Sequence, residues 1–479
     1  MYLSQLYPTP KRFEENESER FVFEPRVTAR MSGLTKETAD RAKALWNRFS
    51  CDASVLEWTS GCEGFRMEIG DGPACALNPG DRYALRVSAS GVTVIGSDGA
   101  SLLDGIKTLV QLIIPETLYE GRESLYMLAA EVHDSPETGF RAVHFCVFPG
   151  TKLSALGQAI HLAGFMKLTH VILEFWGTFP YECNPDLVWK DRAFSKADLR
   201  ELIALIRSYG MEPIPMINHF GHATSSRGCH GRHVVLNRNQ RLSTLFEPDG
   251  WTWCISNPDT YKLLAEMRAE QMEFAGDGGY FHLGFDEAGS FATCPVCRRR
   301  VPHELLAEYI NRLTDDLCRA GRRPILWHDM FIRRSDFPAG CYMEANGESR
   351  GTYKALDLLD RRILMADWNY AYQKGYNPTT PYFIEKGFDT VICPWEDWEN
   401  VRSICADVKK YGAKGVILTT WHHLPNFLSS AEYIGNCAWS AGENPSGAQY
   451  FENACLLRRL YDAEGNFEKS GWSVCEVEH

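Results

Sequence analysis

"SKADLRELIALIRSYGMEPIPMI" (195–217) reads as a capped helix running straight into a strand. Ser195 and Asp198 form a capping-box-like start, in which a hydroxyl and an acid three residues on satisfy the first free amides of a helix. Apolar residues then recur at helical spacing, and Gly210 is a suitable stop because glycine takes the left-handed backbone that ends helices. "MEPIPMI" (211–217) follows as a short apolar run, and "THVILEF" (169–175) precedes the helix as another. Strand, helix, strand is the unit from which parallel sheets are built.

The same unit repeats on both sides. Further strands are expected at "FRAVHFCVF" (140–148), "GYFHLGF" (279–285), "PILWHD" (324–329), "RILMADW" (362–368), "TVICPW" (390–395) and "GVILTTW" (415–421). "NPDTYKLLAEMRAEQMEFAG" (257–276) and "PHELLAEYINRLTDDLCRAG" (302–321) are helices of the same design. Eight strands with interleaved helices fit an α/β fold, a (β/α)₈ TIM barrel, over residues 136–479. Residues 1–135 have a different character. "RYALRVSASGVTVIGS" (82–97) alternates like strands about a Ser-Gly turn, and "GASLLDGIKTLVQLII" (99–114) is an amphipathic helix. This first part reads as a small non-catalytic α/β domain.

Composition narrows the function classes. The 479 residues carry a net charge of -12 with no long basic run, which argues against a nucleic-acid partner. "MYLSQLYPTPKRFEENESERF" (1–21) lacks the apolar core of a secretory signal, and no long apolar window suggests a membrane span. The 16 cysteines are scattered and read as reduced thiols, so a cytoplasmic location is expected. The 13 Trp and 20 Tyr supply faces suited to a sugar-like pocket. A homodimer is carried as an expectation.

In a barrel of this kind, chemistry sits at the C-terminal strand ends. The residues there are Glu174, Asn218, Asp286, Glu287, Trp327, Asp329, Trp368, Trp395 and Trp421. Asp286 and Glu287 stand side by side in "YFHLGFDEAGS" (280–290), where an apolar strand runs out. Adjacent extended residues point different ways, so the two carboxylates are expected to do different jobs. A carboxylic acid held protonated by burial or a like-charged neighbour can donate to a leaving oxygen. Together with the tryptophans, the pair suggests a glycosidase. The plainer alternative is a structural cap beside a surface acid.

The ordered set of motifs resembles family 20 glycoside hydrolases, the β-N-acetylhexosaminidases, as a divergent bacterial-type member. "LLDGIKTLVQLI" resembles the end of that family's N-terminal domain, and "DSPETGFRAVHF" (134–145) the opening of its barrel. "MKLTHVILEF" (166–175) is similar to its second strand, "PMINHFGHA" (215–223) to the segment ending in an active-site Gly-His, and "HLGFDEA" (282–288) to its His-x-Gly-x-Asp-Glu signature. The resemblance implies an exo-acting, retaining, substrate-assisted mechanism with no cofactor for catalysis and no enzymic nucleophile. Glu287 would be the general acid and base, and Asp286 would orient the substrate's 2-acetamido group. Arg141 matches an arginine that holds sugar hydroxyls, with a structural ion-pair partner as its plainer reading. His222 matches the active-site histidine, with a satisfied core histidine as its alternative. Trp327 and Trp421 match pocket tryptophans. Trp368, Tyr370 and Trp395 would line the same pocket, and Tyr370 could donate to the acetamide oxygen.

Two departures from the family pattern stand out. The loop after the second strand reads "EFWGTFPYE" (174–182), with Trp176 and Gly177 where relatives carry acids in hydrogen-bond linkage with the active-site histidine, so Glu174 or Glu182 would substitute. "TTWHHLPN" (419–426) puts His422 and His423 where relatives carry a glutamate. The sugar would then be N-acetylgalactosamine or a 6-modified N-acetylglucosamine in place of plain N-acetylglucosamine. A catalytically weak glycan-binding protein on the same scaffold is the competing class. Separately, "CPVC" (294–297) supplies Cys294 and Cys297, and "GHATSSRGCHGRH" (221–233) supplies Cys229, His230 and His233. A structural zinc needs four ligands, and neighbouring loops could bring these together as a clip.

Overall fold

The computed structural model describes residues 6–50, 55–59, 65–69, 76–117, 123–224, 239–341, 343–371, 377–421 and 427–440. The N-terminal part is a mixed sheet with two helices. Its elements are β1 (Arg12–Phe23), β2 (Arg26–Ser32), α1 (Lys36–Phe49), β3 (Val55–Thr59), β4 (Phe65–Ile69), β5 (Tyr83–Ser88), β6 (Gly91–Gly96), α2 (Gly99–Leu109), β7 (Ile114–Thr117) and β8 (Glu123–Asp134). The strand order is β1-β8-β5-β6-β4-β2-β3, with β7 pairing β8. The alternation around Ser90-Gly91 is the β5–β6 hairpin, paired antiparallel from Tyr83↔Gly96 to Ser88↔Gly91. Helix α2 is shorter than its apolar pattern. It ends at Leu109, passes through a 3₁₀ turn and gives way to β7 at Ile114, because Pro115 drives the residue before it out of helical backbone.

The rest of the chain forms a closed parallel barrel. Its strands are β9 (Phe140–Val147), β10 (His170–Phe175), β11 (Glu212–Met216), β12 (Tyr280–His282), β13 (Arg323–Trp327), β14 (Leu364–Trp368), β15 (Asp389–Cys393) and β16 (Gly415–Thr419). Helices α3 (Leu153–Phe165), α4 (Lys196–Ser208), α5 (Pro258–Ala275), α6 (Pro302–Arg319), α7 (Thr379–Glu385), α8 (Trp398–Tyr411) and α9 (Phe427–Ser440) surround it. Short 3₁₀ turns replace a helix between β13 and β14. Both bonds of the expected capping box open α4, which buries Leu199, Leu202 and Ile206. Among the described residues no helix is long and apolar enough to cross a membrane.

Closure occurs where β16 meets β9, in register from Gly415↔Phe140 to Thr419↔His144. Gly415 has φ +154° and a Cβ there would lie 1.8 Å from Phe140 O, so a side chain would force the seam open. Inward residues alternate along each strand. Phe140, Ala142, Ile172, Ile214, Ile325 and Val391 help fill the interior with apolar groups, and His144 and Glu174 enter it toward the C-terminal end of the strands.

The opposite end is a buried polar joint with the first sheet. Asp134 Oδ2 accepts from Tyr83 Oη at 2.6 Å and Trp439 Nε1 at 2.7 Å. Lys167 Nζ lies 3.6 Å from that carboxylate, and burial pulls its pKa down to about 8. Arg141 belongs to this joint. It sits at the start of β9, donates to Thr138 O at 2.6 Å and Lys167 O at 3.0 Å, and lies over the Trp439 ring. The expected sugar-binding arginine is therefore corrected to a structural one, held at the wrong end of its strand.

Candidate active site

The Asp286–Glu287 pair is built by a chain that stops being a strand. The apolar run 279–285 suggested a longer strand, yet β12 ends at His282. Gly284 and Phe285 then take positive φ (+74° and +82°), and Glu287 does so again at +49°. Such backbone in a non-glycine residue costs on the order of 1 kcal/mol or more and persists where its surroundings over-determine it. Here the surroundings are the loop after β11. Asn218 Oδ1 accepts from the amides of Phe220 and Phe285, each at 3.1 Å, while its Nδ2 donates to Asp286 Oδ1. A Cβ on Gly284 would lie 2.4 Å from Asn218 Cγ, and one on Gly221 would lie 2.0 Å from Asp286 O. Two loops are thus laid flush, with glycine where each touches the other.

His222 closes the arrangement. Its Nε2 is 3.2 Å from Asp286 Oδ2 and 3.1 Å from Glu287 Oε2. The Asp286 side chain is 6% exposed and that of Glu287 is 47% exposed, so the neighbours live in different media. One is a buried carboxylate held by Asn218 and His222. The other reaches toward solvent from the rim. Trp251 lies against His222 with ring centroids 4.2 Å apart and donates from Nε1 to Glu287 O at 2.8 Å.

A third carboxylate stands behind the pair. Asp329 is fully buried and accepts from Glu287 N at 2.9 Å, Asn346 Nδ2 at 2.9 Å and Trp368 Nε1 at 3.2 Å. Burial, and then the charge of Asp286, push its pKa up to about 7.

The expected aromatic residues converge. Tyr370 lies 5.0 Å from Trp368 and 5.4 Å from Trp395 between ring centroids, and its hydroxyl accepts from Trp421 Nε1 at 2.7 Å. Trp327 is fully buried beneath them, 5.9 Å from Trp421 and 4.3 Å from His282. Burial raises the Tyr370 pKa well above 10, so this hydroxyl keeps its proton as a donor. Deeper in the barrel, His144 Nε2 lies 3.1 Å from Glu174 Oε2, with Cys146 Sγ 3.5 Å from the same oxygen.

These positions correct several expectations. Glu174 pairs with His144, and Glu182 is exposed and pairs with Lys196, so neither is placed as the partner of His222. Cys294 and Cys297 meet Cys254 and Glu247 in a buried cluster. Cys229, His230, His233, His422 and His423 lie outside the described residues. Trp251 and Asn346 were not anticipated. Trp251 follows an Asp-Gly turn in "EPDGWTW", a legible sign of a projecting loop tip. Asn346 lies in a long irregular connection and has no sequence signal.

Residues 181–424 match the model of "Glycosyl hydrolase family 20, catalytic domain". A beta-hexosaminidase of Porphyromonas gingivalis is 21% identical over 389 residues, covering 72% of this chain and 48% of that protein. The chain spans about half the length of the curated relatives it matches first. The fold is shared with a Flavobacterium johnsoniae chitobiase (TM-score 0.73, 16% identity, 98% of this chain and 75% of that one). It is also shared with a beta-N-acetylhexosaminidase from Bacteroides fragilis (TM-score 0.71, 17% identity, 98% and 96%).

Proposed function

The chain belongs to glycosyl hydrolase family 20, and from that membership we propose that it is an exo-acting, retaining β-N-acetylhexosaminidase that removes terminal β-linked N-acetylglucosamine or N-acetylgalactosamine. The observation that carries this reading is the unequal pair. Asp286 is buried and held by Asn218 and His222, while Glu287 is half exposed beside it.

The chemistry follows from those positions. The sugar sits against Trp368, Trp395 and Trp421, whose apolar faces suit a pyranose ring, and Trp327 supports them from beneath. Tyr370, a protonated donor, takes the acetamide carbonyl oxygen. Asp286, ionised, takes the acetamide N–H. Glu287 gives its proton to the glycosidic oxygen as that bond breaks, and the acetamide oxygen attacks the anomeric carbon. The intermediate is a cyclic oxazolinium ion whose positive charge lies next to Asp286, in a site with little water to screen it. Glu287, now ionised, takes a proton from water, which opens the ring with net retention. Asp329 donates nothing to the sugar in this scheme. It accepts the Glu287 amide and the Trp368 indole N–H, and so fixes the rim acid and one wall of the pocket.

The purified full chain should hydrolyse 4-nitrophenyl N-acetyl-β-D-glucosaminide or the corresponding galactosaminide. Folded protein that binds the free sugar but turns over neither would favour the glycan-binding reading instead.

A further inference from the structure

We propose that Glu247, Cys254, Cys294 and Cys297 form a closed structural zinc site that locks the loop after β11 to the loop after β12. The site lies outside the catalytic pocket, and no step of the proposed hydrolysis uses it. Three thiol sulfurs and a carboxylate oxygen lie within 4.8 Å of one another, and all four residues are buried.

Distances decide what kind of cluster this is. Cys254 Sγ is 3.6 Å from both Cys294 Sγ and Cys297 Sγ. A disulfide would need about 2.05 Å. Tetrahedral zinc with Zn–S bonds of about 2.3 Å puts neighbouring sulfurs about 3.8 Å apart. Two of the sulfur–sulfur spacings therefore already match a metal tetrahedron, and the remaining ligand atoms lie within 4.8 Å of one another. The Cys-x₂-Cys turn has the matching backbone, with Cys297 N–H donating to Cys294 Sγ at 3.2 Å. Cys297 Sγ in turn donates to Ser256 Oγ at 3.2 Å.

Glu247 supplies the independent pointer. It is 1% exposed, and its Oε2 accepts from Thr293 N at 2.9 Å, Thr293 Oγ1 at 3.2 Å and Cys294 N at 2.6 Å. Its Oε1 is buried with no hydrogen-bond partner among the described residues. Leaving a carboxylate oxygen dry and unmatched is costly. A cation beside it removes that cost, and the donors on Oε2 hold the carboxylate in place as outer-shell groups do around metals. Four protein ligands fill a tetrahedron and leave no open position, which is the mark of a structural site. Soft sulfur donors in a tetrahedral set select zinc over calcium or magnesium.

Position gives the site its purpose. Cys254 follows Trp251 by three residues, and Trp251 covers His222 and bonds the Glu287 carbonyl. Cys294 is seven residues beyond Glu287. A link between the two cysteines fixes the loop that carries Trp251 to the loop that carries the acid. On binding, zinc displaces the thiol protons, so occupancy is coupled to pH.

The test is metal content of the full chain, measured without substrate, so it is independent of the hydrolase reading. Protein purified without added metal should carry about one zinc per chain by elemental analysis. Cys254→Ser and Cys297→Ser should lose it, and Cys183→Ser, at a distant cysteine, should keep it. Glu247→Gln should yield its metal to a chelator at lower concentrations than wild type. Wild-type protein exchanged with Co²⁺ provides a second readout that does not depend on the folding of the cysteine variants. It should show thiolate-to-cobalt charge-transfer bands and the intense visible bands of tetrahedral cobalt. Folded wild-type protein with no bound zinc, iron in its place, or zinc retained in both cysteine variants would overturn the proposal.

Discussion

Asn218 is the residue on which the geometry of Asp286 rests, and two substitutions there separate structure from chemistry. Asn218→Ala removes the donor to Asp286 and the acceptor for the amides of Phe220 and Phe285. A hydrogen bond to a charged group is worth about 1.5–3 kcal/mol, so turnover should fall by roughly 10- to 150-fold at every pH. The two orphaned amides should cost a further ~2–6 kcal/mol of stability. Asn218→Asp keeps the acceptor and places a second carboxyl against Asp286. At about 3 Å and an effective dielectric of about 20, two negative charges there repel by roughly 5 kcal/mol. The pair therefore keeps one proton well above the ordinary carboxylate range and loses it only as pH rises further. While the introduced carboxyl carries that proton, it donates to Asp286 as the amide did. The Asp variant should therefore retain part of its activity at low pH and lose it as pH rises, whereas the Ala variant should show a loss independent of pH. Steady-state kcat and kcat/KM from pH 5 to pH 9, with Tm for each protein, measure this. An Asp variant with the wild-type profile, or an Ala variant with unchanged turnover, would refute the reasoning.

Other expectations follow from the same geometry. Glu287→Gln should lose about 10²–10⁴-fold on substrates with poor leaving groups and much less on activated aryl glycosides, because only the former need the proton; equal losses in kcat/KM on both would count against the acid role. Asp329, at about 7, keeps its proton in the folded chain where an unfolded aspartate has lost it. Its contribution to stability is full below the ordinary aspartate range and is lost as pH rises through about 7. Asp329→Asn should thus gain Tm relative to wild type between pH 5 and pH 8, and a constant difference would contradict that assignment. Arg141→Met should lower stability by about 2–4 kcal/mol through the unpaired carbonyls of Thr138 and Lys167, with KM unchanged at a temperature where the variant stays folded. A raised KM would return Arg141 to the substrate site.

The barrel was legible because each strand is a short apolar run followed by a turn signal, and that pattern survives however the loops are arranged. The capping box at Ser195 and the hairpin at Ser90-Gly91 are local in the same sense. What stayed hidden depends on which end of a strand a residue occupies and on partners far along the chain. Arg141 stands beside the right motif at the wrong end of β9, a distinction of a few residues that turns a sugar ligand into a brace for Trp439. Glu174 meets His144 across 30 residues, and Cys294 meets Cys254 across 40. The carboxylate pair was visible as chemistry, but its unequal burial comes from Asn218, Gly221 and the positive φ of Phe285 and Glu287, which no spacing rule encodes.

The central claim is that the substrate supplies the nucleophile while Asp286 supports it. The most direct measurement compares turnover of a 4-nitrophenyl 2-acetamido-2-deoxy-β-glycoside with that of its 2-hydroxy counterpart, in wild type and in Asp286→Asn. The account predicts that wild type turns over the first and scarcely touches the second. It also predicts that Asp286→Asn loses about 10²–10³-fold on the first with little change in ground-state binding. Comparable turnover of the 2-hydroxy sugar, or a sugar ester trapped on the protein, would contradict it.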